Sequence, residues 1–191
     1  MSRSRIWKAG VVPGAILMMA GCGAPKVDIS RIERPARSAG LDAYDVFVGQ
    51  WTWEATMANA DEKNRNWSGT AEWHWTLDKR CLHGQLSSRS AGGKEFSAAG
   101  VWGQHPKSGQ YIWWMFNNWG YPQEGVADYD AAGKVWTMRY NSIGLNGTPS
   151  YGVYTMKVMD ADTLSWSMTE WADLCHVFKK MEMCGKYMRK K

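Results

Sequence analysis

No acidic residue precedes Asp28, and no run of apolar residues is long enough to cross a membrane as a helix. The longest apolar stretch, Ala9 to Ala20, is interrupted by Gly10, Pro13 and Gly14. It is about a dozen residues against the roughly 20 that a spanning helix needs. Several catalytic signatures are missing as well. The chain has no Gly-x-Ser-x-Gly elbow, no Cys-x-x-Cys-His haem attachment and no glycine-rich phosphate loop leading into a helix. Ala91-Gly92-Gly93-Lys94 falls between two expected strands, so it has no helix terminus to offer a phosphate. No basic stripe is present, which argues against a nucleic-acid partner. These absences point away from an enzyme, a resident cofactor and a transmembrane helix.

What is present begins with the N-terminus. Arg3, Arg5 and Lys8 form a positive region ahead of the apolar stretch, which ends Leu17-Met18-Met19-Ala20-Gly21-Cys22. This arrangement reads as a signal peptide over residues 1–21. The ending resembles the bacterial lipobox, which implies acylation of Cys22 and cleavage before it. By the same resemblance, Gly23 after the cysteine favours an outer-membrane anchor facing the periplasm. The three signal-peptide cations account for part of the chain's net charge of +5, and the mature chain keeps +2. Residues 22–42 are expected to be a lipidated tether, with Pro25, Pro35 and mixed charge, and residues 43–191 a single domain. Leu41, Tyr44 and Phe47 fall at helical spacing, so a short helical turn is expected over 42–47. Of the four cysteines, Cys81, Cys175 and Cys184 remain once Cys22 is acylated. The odd number leaves at least one thiol without an intramolecular bridge. If Cys175 lies in a turn and Cys184 in the strand after it, the two sit too far apart to bridge, and a pairing of either with Cys81 is the other intramolecular option.

The tryptophans dominate the mature chain. Thirteen occur, and all but Trp7 follow the signal peptide. Many sit in segments of two-residue alternation: Trp51 and Trp53, Trp73 and Trp75, Trp166 with Met168. Period two with one apolar face is the mark of a half-buried strand. About ten such segments follow one another, with turns at Ala91–Lys94, His105–Gly109, Ala131–Gly133 and Asp160–Asp162. The last is expected to run from His176 to Met188. No long amphipathic helix intervenes, so the expectation is an all-β, antiparallel, up-and-down barrel, closed and lipocalin-like, of about 8–10 strands.

Gly100-Val-Trp-Gly103-Gln-His-Pro106-Lys-Ser-Gly-Gln-Tyr111 resembles the central segment of the DUF1579 family. Phe47-Val-Gly49-Gln-Trp51, Gly69-Thr-Ala-Glu-Trp73 and the closing Met181-Glu-Met resemble other parts of it. The resemblance implies a lipocalin-like barrel and brings no activity with it. His105 stands where that family leads one to expect an acidic residue, and Trp113 and Trp114 are bulkier than usual there.

The expected barrel lining is Trp53, Trp73, Trp75, Trp113, Met115, Tyr140 and Trp166. Small barrels are either filled by their own side chains or hold one small ligand, so both a packed core and an apolar cavity are consistent with this set. Strand five has two apolar faces, Trp113 with Met115 and Trp114 with Phe116, and the second requires a cover: a loop, the N-terminal segment or a second subunit as in a homodimer. His74, His83, His105 and His176 do not form a metal-ligand pattern, and Glu124, Asp128 and Asp130 are expected to face solvent. Asn117-Asn118-Trp119-Gly120-Tyr121-Pro122 pairs amides with aromatics, as a barrel mouth or an ordinary turn. The expected partners are thus the membrane, through the lipid, and one small apolar or planar ligand.

Overall fold

The computed structural model describes residues 28–31, 33–34, 36–143, 147–173 and 175–191. The expected signal peptide and Cys22 lie outside the described residues. The chain divides into two units, residues 1–35 and 36–191. In the first, a single 3-10 turn at Ile29–Arg31 is described, with Arg31 paired to Asp28 at 2.9 Å. The second carries the fold.

Ten antiparallel strands close into one barrel: β1 Gly49–Met57, β2 Asn66–Thr76, β3 Cys81–Ser90, β4 Glu95–Gln104, β5 Tyr111–Asn117, β6 Gln123–Asp130, β7 Val135–Ile143, β8 Pro149–Val158, β9 Thr163–Trp171 and β10 Lys179–Arg189. Each strand pairs with its sequence neighbours, and β1 pairs with β10 to seal the cylinder. Closure leaves no free edge, which removes the chief aggregation hazard of an all-β chain. The alternation read from the sequence is the alternation observed. Trp51, Trp53 and Ala55 point inward from β1, and Trp136, Met138 and Tyr140 from β7.

A 3-10 helix, η1 (Ala39–Phe47), plugs the end of the barrel where β1 begins. Ser38 caps it, accepting from the Gly40 N–H at 3.2 Å. Leu41, Tyr44 and Phe47 are buried at the spacing expected of a helical turn. The helix starts before the expected boundary. Residues 36–42 fall in the second unit, where Leu41 joins the core and Arg37 donates to the Lys79 carbonyl at 2.7 Å. Tyr44 stacks on Trp136 at 4.7 Å, and the Tyr111 hydroxyl donates to the Gly40 carbonyl at 2.7 Å. The last strand fastens the junction between plug and barrel. The Arg189 guanidinium donates to the carbonyls of Val46 and Val48 and lies 4.2 Å over the Trp51 ring.

The closing strand starts three residues later than its sequence pattern implies. Residues 176–178 form a turn held by Asp173, whose carboxylate accepts from the N–H groups of Val177 and Phe178. A bulge between Lys179 and Met181 sets the register that follows. Cys81, Cys175 and Cys184 are all free thiols.

Candidate functional site

The wall of the barrel is built on a pairing of large rings with glycines. Trp73 faces Gly84, Trp113 faces Gly125, and Gly152 lies beside Tyr140. A Cβ at Gly84 would overlap the Trp73 indole, and one at Gly152 would overlap the Tyr140 ring. Missing side chains on one strand therefore make room for rings from the next. The rings lie along the wall as a result, and the axis stays open.

That open axis is a cavity of about 710 Å³, within the range of small-molecule sites. It opens at the end opposite the plug, where the β1–β2, β3–β4, β5–β6 and β9–β10 turns meet. Its depth is aromatic. Trp53 and Trp166 meet edge to face at 5.9 Å, Tyr154 stacks on Trp166 at 5.4 Å, and Trp113 meets Tyr140 at 5.6 Å. Seven methionines, Met57, Met115, Met138, Met156, Met168, Met181 and Met183, also line it. Thioether chains are flexible and polarizable, so this part of the wall can adapt to an occupant.

Six of the seven residues expected from the sequence line the cavity: Trp53, Trp73, Trp113, Met115, Tyr140 and Trp166. Trp75 does not. It shares the parity of Trp73 but lies one step further toward the plug. There its indole donates to Asp45 at 2.6 Å and packs on Tyr44, with the Arg37 guanidinium 5.1 Å from the ring centre. The Asn117–Pro122 segment is both a turn and part of the mouth. The Asn117 side-chain oxygen accepts from the N–H groups of Trp119 and Tyr121, and Asn117, Trp119 and Tyr121 all line the opening. Trp119 packs on Phe96 at 5.0 Å and donates to the Glu95 carbonyl at 3.0 Å.

One feature of the wall was not singled out in the sequence. Glu170 is only 4% exposed, and its carboxylate accepts from the Tyr140 hydroxyl at 3.1 Å and from Lys180 at 2.9 Å. A buried carboxylate is tolerable when it is paired and hydrogen-bonded, and here both conditions are met. Its inward parity with Trp166 and Met168 was legible, but its partners were not. Burial, reinforced by the Glu170 charge, keeps the Tyr140 phenol well above its usual pKa. Burial likewise raises Tyr154, which hydrogen-bonds Tyr187, and pushes Tyr187 up to about 12.

No His or Cys is among the residues lining the cavity. His74 and His83 stand together on the outer face, with ring centres 5.0 Å apart. Among the described residues no group of three His, Cys, Asp or Glu side chains is placed to hold a metal. Glu124, Asp128 and Asp130 are exposed, and Asp128 pairs with Arg139. On the outer face of β5, Trp114 and Phe116 are exposed, Phe116 to 66%.

Neither a family profile nor a curated protein matches the chain. Among solved structures, Rv2717c from M. tuberculosis superposes with a TM-score of 0.59 at 18% identity, covering 82% of this chain and 100% of that one. This likeness establishes the closed-barrel fold. A de novo designed fluorescence-activating beta barrel gives a TM-score of 0.44 at 14% identity, over 78% of this chain and 98% of the design. A redesigned beta barrel bound to DFHBI gives 0.42 at 10% identity, over 77% and 98%.

Proposed function

We propose that this chain is a cell-envelope lipoprotein whose barrel binds one small apolar or planar ligand. The observation that carries the reading is the 710 Å³ aromatic and methionine-lined cavity, closed by η1 at one end and open at the other. A barrel serving only as a packed scaffold would have filled that axis, since interiors pack with few voids larger than water. We read the lipobox as functional, so that acylated Cys22 holds the barrel at the outer membrane, on its periplasmic side. Binding without catalysis is the simpler reading. The buried carboxylate of the wall, Glu170, is already held by Tyr140 and Lys180. On its motifs, the chain is proposed to be a divergent relative of the DUF1579 family.

The test is a titration of the purified mature chain with dodecanoate and with pyrene, followed by tryptophan fluorescence. The expected result is a saturable one-to-one change that Met115→Trp, which fills the cavity, abolishes. If neither compound perturbs the fluorescence, the cavity is not a binding site. A second reading, an interaction module working through its outer surface, is favoured by the exposed Trp114 and Phe116 on β5. It predicts self-association or a partner captured by cross-linking, and loss of either in Trp114→Ser.

A further inference from the structure

The charges of the cavity point to the chemistry of its occupant, and this inference rests on the ligand-binding reading above. Of the described residues that line the cavity, three carry a charge: Glu170, Lys180 and Lys94. The phenols of the wall, Tyr140, Tyr154 and Tyr187, stay neutral because burial raises their pKa values. Neutral polar groups at the mouth, Gln123 and Asn117 among them, both donate and accept, so they serve a ligand of either charge or none. The charged groups therefore decide.

They are not equivalent. The Glu170 side chain is 6% exposed and that of Lys180 is 39% exposed. Glu170 is held in the wall by the sheet around it. Its neighbour on β8 is Gly152, and the next residue across is Tyr140 on β7. The Tyr140 hydroxyl reaches past the glycine to donate to Glu170 Oε2 at 3.1 Å. Oε1 accepts from Lys180 at 2.9 Å. Lys180 stands at the bulge that opens β10, and its ammonium lies 5.9 Å from the centre of the Tyr121 ring. Tyr121 belongs to the β5–β6 turn, which is opposite β10 in the ring of strands. The long Lys180 chain can swing into the water of the mouth, and the carboxylate cannot follow it. The fixed charge of the wall is thus negative, and the positive charge upon it is movable. A place of ammonium size lies between Glu170 Oε1 and the Tyr121 ring, and Lys180 fills it from within.

An anion finds no such place. Drawn to Lys180, it would lie against the Glu170 carboxylate. Lys94 gives no help there, because three strands, β1 to β3, separate its turn from β10 around the barrel. The rings further in also suit a cation, since aromatic faces are negative. Tyr154 pairs with Met168, two residues before Glu170 on the inward face, and stacks on Trp166.

We propose that the ligand is an organic ammonium ion with a flat, apolar body. Its ammonium displaces Lys180 and donates to the Glu170 carboxylate beside Tyr121, and the body lies inward among the rings and thioethers of the wall.

1-Pyrenemethylamine, 1-pyrenemethanol and 1-pyrenecarboxylate share one aromatic body and differ in charge, so they isolate this claim. Isothermal titration of the full mature chain at neutral pH should show the amine binding about tenfold tighter than the alcohol, the factor of one charge-assisted hydrogen bond. The carboxylate should bind most weakly. The chain's net positive charge opposes that order, so a preference for the amine reports the local site. Glu170→Gln keeps an acceptor for Tyr140 and should bring the amine-to-alcohol ratio toward one. Lys180→Met removes the built-in competitor and should raise that ratio above its value in the unaltered protein, which loss of a merely structural ion pair would not do. The ranking in the unaltered protein needs no variant to fold. Equal affinities for amine and alcohol there, or a carboxylate that binds tightest, overturn the ammonium claim and leave the cavity reading standing. Failure of all three compounds and of pyrene itself to bind overturns the two together.

Discussion

Gly152 and Tyr140 show how the wall is specified one residue at a time. The glycine has no side chain, the ring occupies that space, and a Cβ at 152 would overlap the ring. Gly152→Ala is therefore expected to destabilise the barrel by about 1–3 kcal/mol, as overpacking does. At Gly103 the nearest atom to a new Cβ is 3.8 Å away, so Gly103→Ala should change stability by no more than about 0.5 kcal/mol. Urea midpoints of the two variants make the comparison. The buried phenols supply a pH test. Tyr44, Tyr140, Tyr154 and Tyr187 all have raised pKa values in the fold, chiefly through burial. In the unfolded chain they titrate near 10. Below that pH both states are protonated and the fold keeps its full stability. Above it only the unfolded chain loses protons, so stability falls as pH rises toward the folded values, by on the order of 1.4 kcal/mol per pH unit for each phenol held neutral. Thermal melts from pH 8 to 11 should be flat with respect to these groups and then drop above about 10.

Among the elements, η1 carries more than a terminal turn usually does. Tyr44 contacts the rings of Phe47, Trp75, Tyr111 and Trp136, so the plug and the barrel share one aromatic cluster. Tyr44→Ala should cost about 3–5 kcal/mol, the usual range for removing a buried ring. It should also raise amide exchange in 39–47 before it does so in the strands. The strands themselves were legible in the sequence because alternation of apolar and polar residues is a local property. What alternation cannot encode is depth along the barrel axis. Trp73 and Trp75 have the same parity, yet one lines the cavity and the other packs on the plug. Register is equally hidden. The partner of Glu170 is Lys180, placed by a bulge at Lys179–Met181 that no local pattern announces. The matching of Trp113 with Gly125 also needs the pairing before it can be seen.

At the scale of the whole molecule, the proposed acylation of Cys22 and the proposed binding in the barrel are separable, and each has its own test. Cys22→Ser should release the protein from the membrane fraction and leave the folded barrel unaltered, as circular dichroism and fractionation of the expressing cells would report. The central claim is that a small planar ligand enters the barrel and meets its inner wall. The most direct measurement is a nitrogen-15 spectrum of the indole N–H groups during titration with pyrene. The account predicts that the signals of Trp53, Trp113 and Trp166 move together and saturate, while those of Trp51 and Trp75, already bonded at the plug, hold still. Shifts confined to the outward-facing Trp114, or no shifts at all, would contradict it.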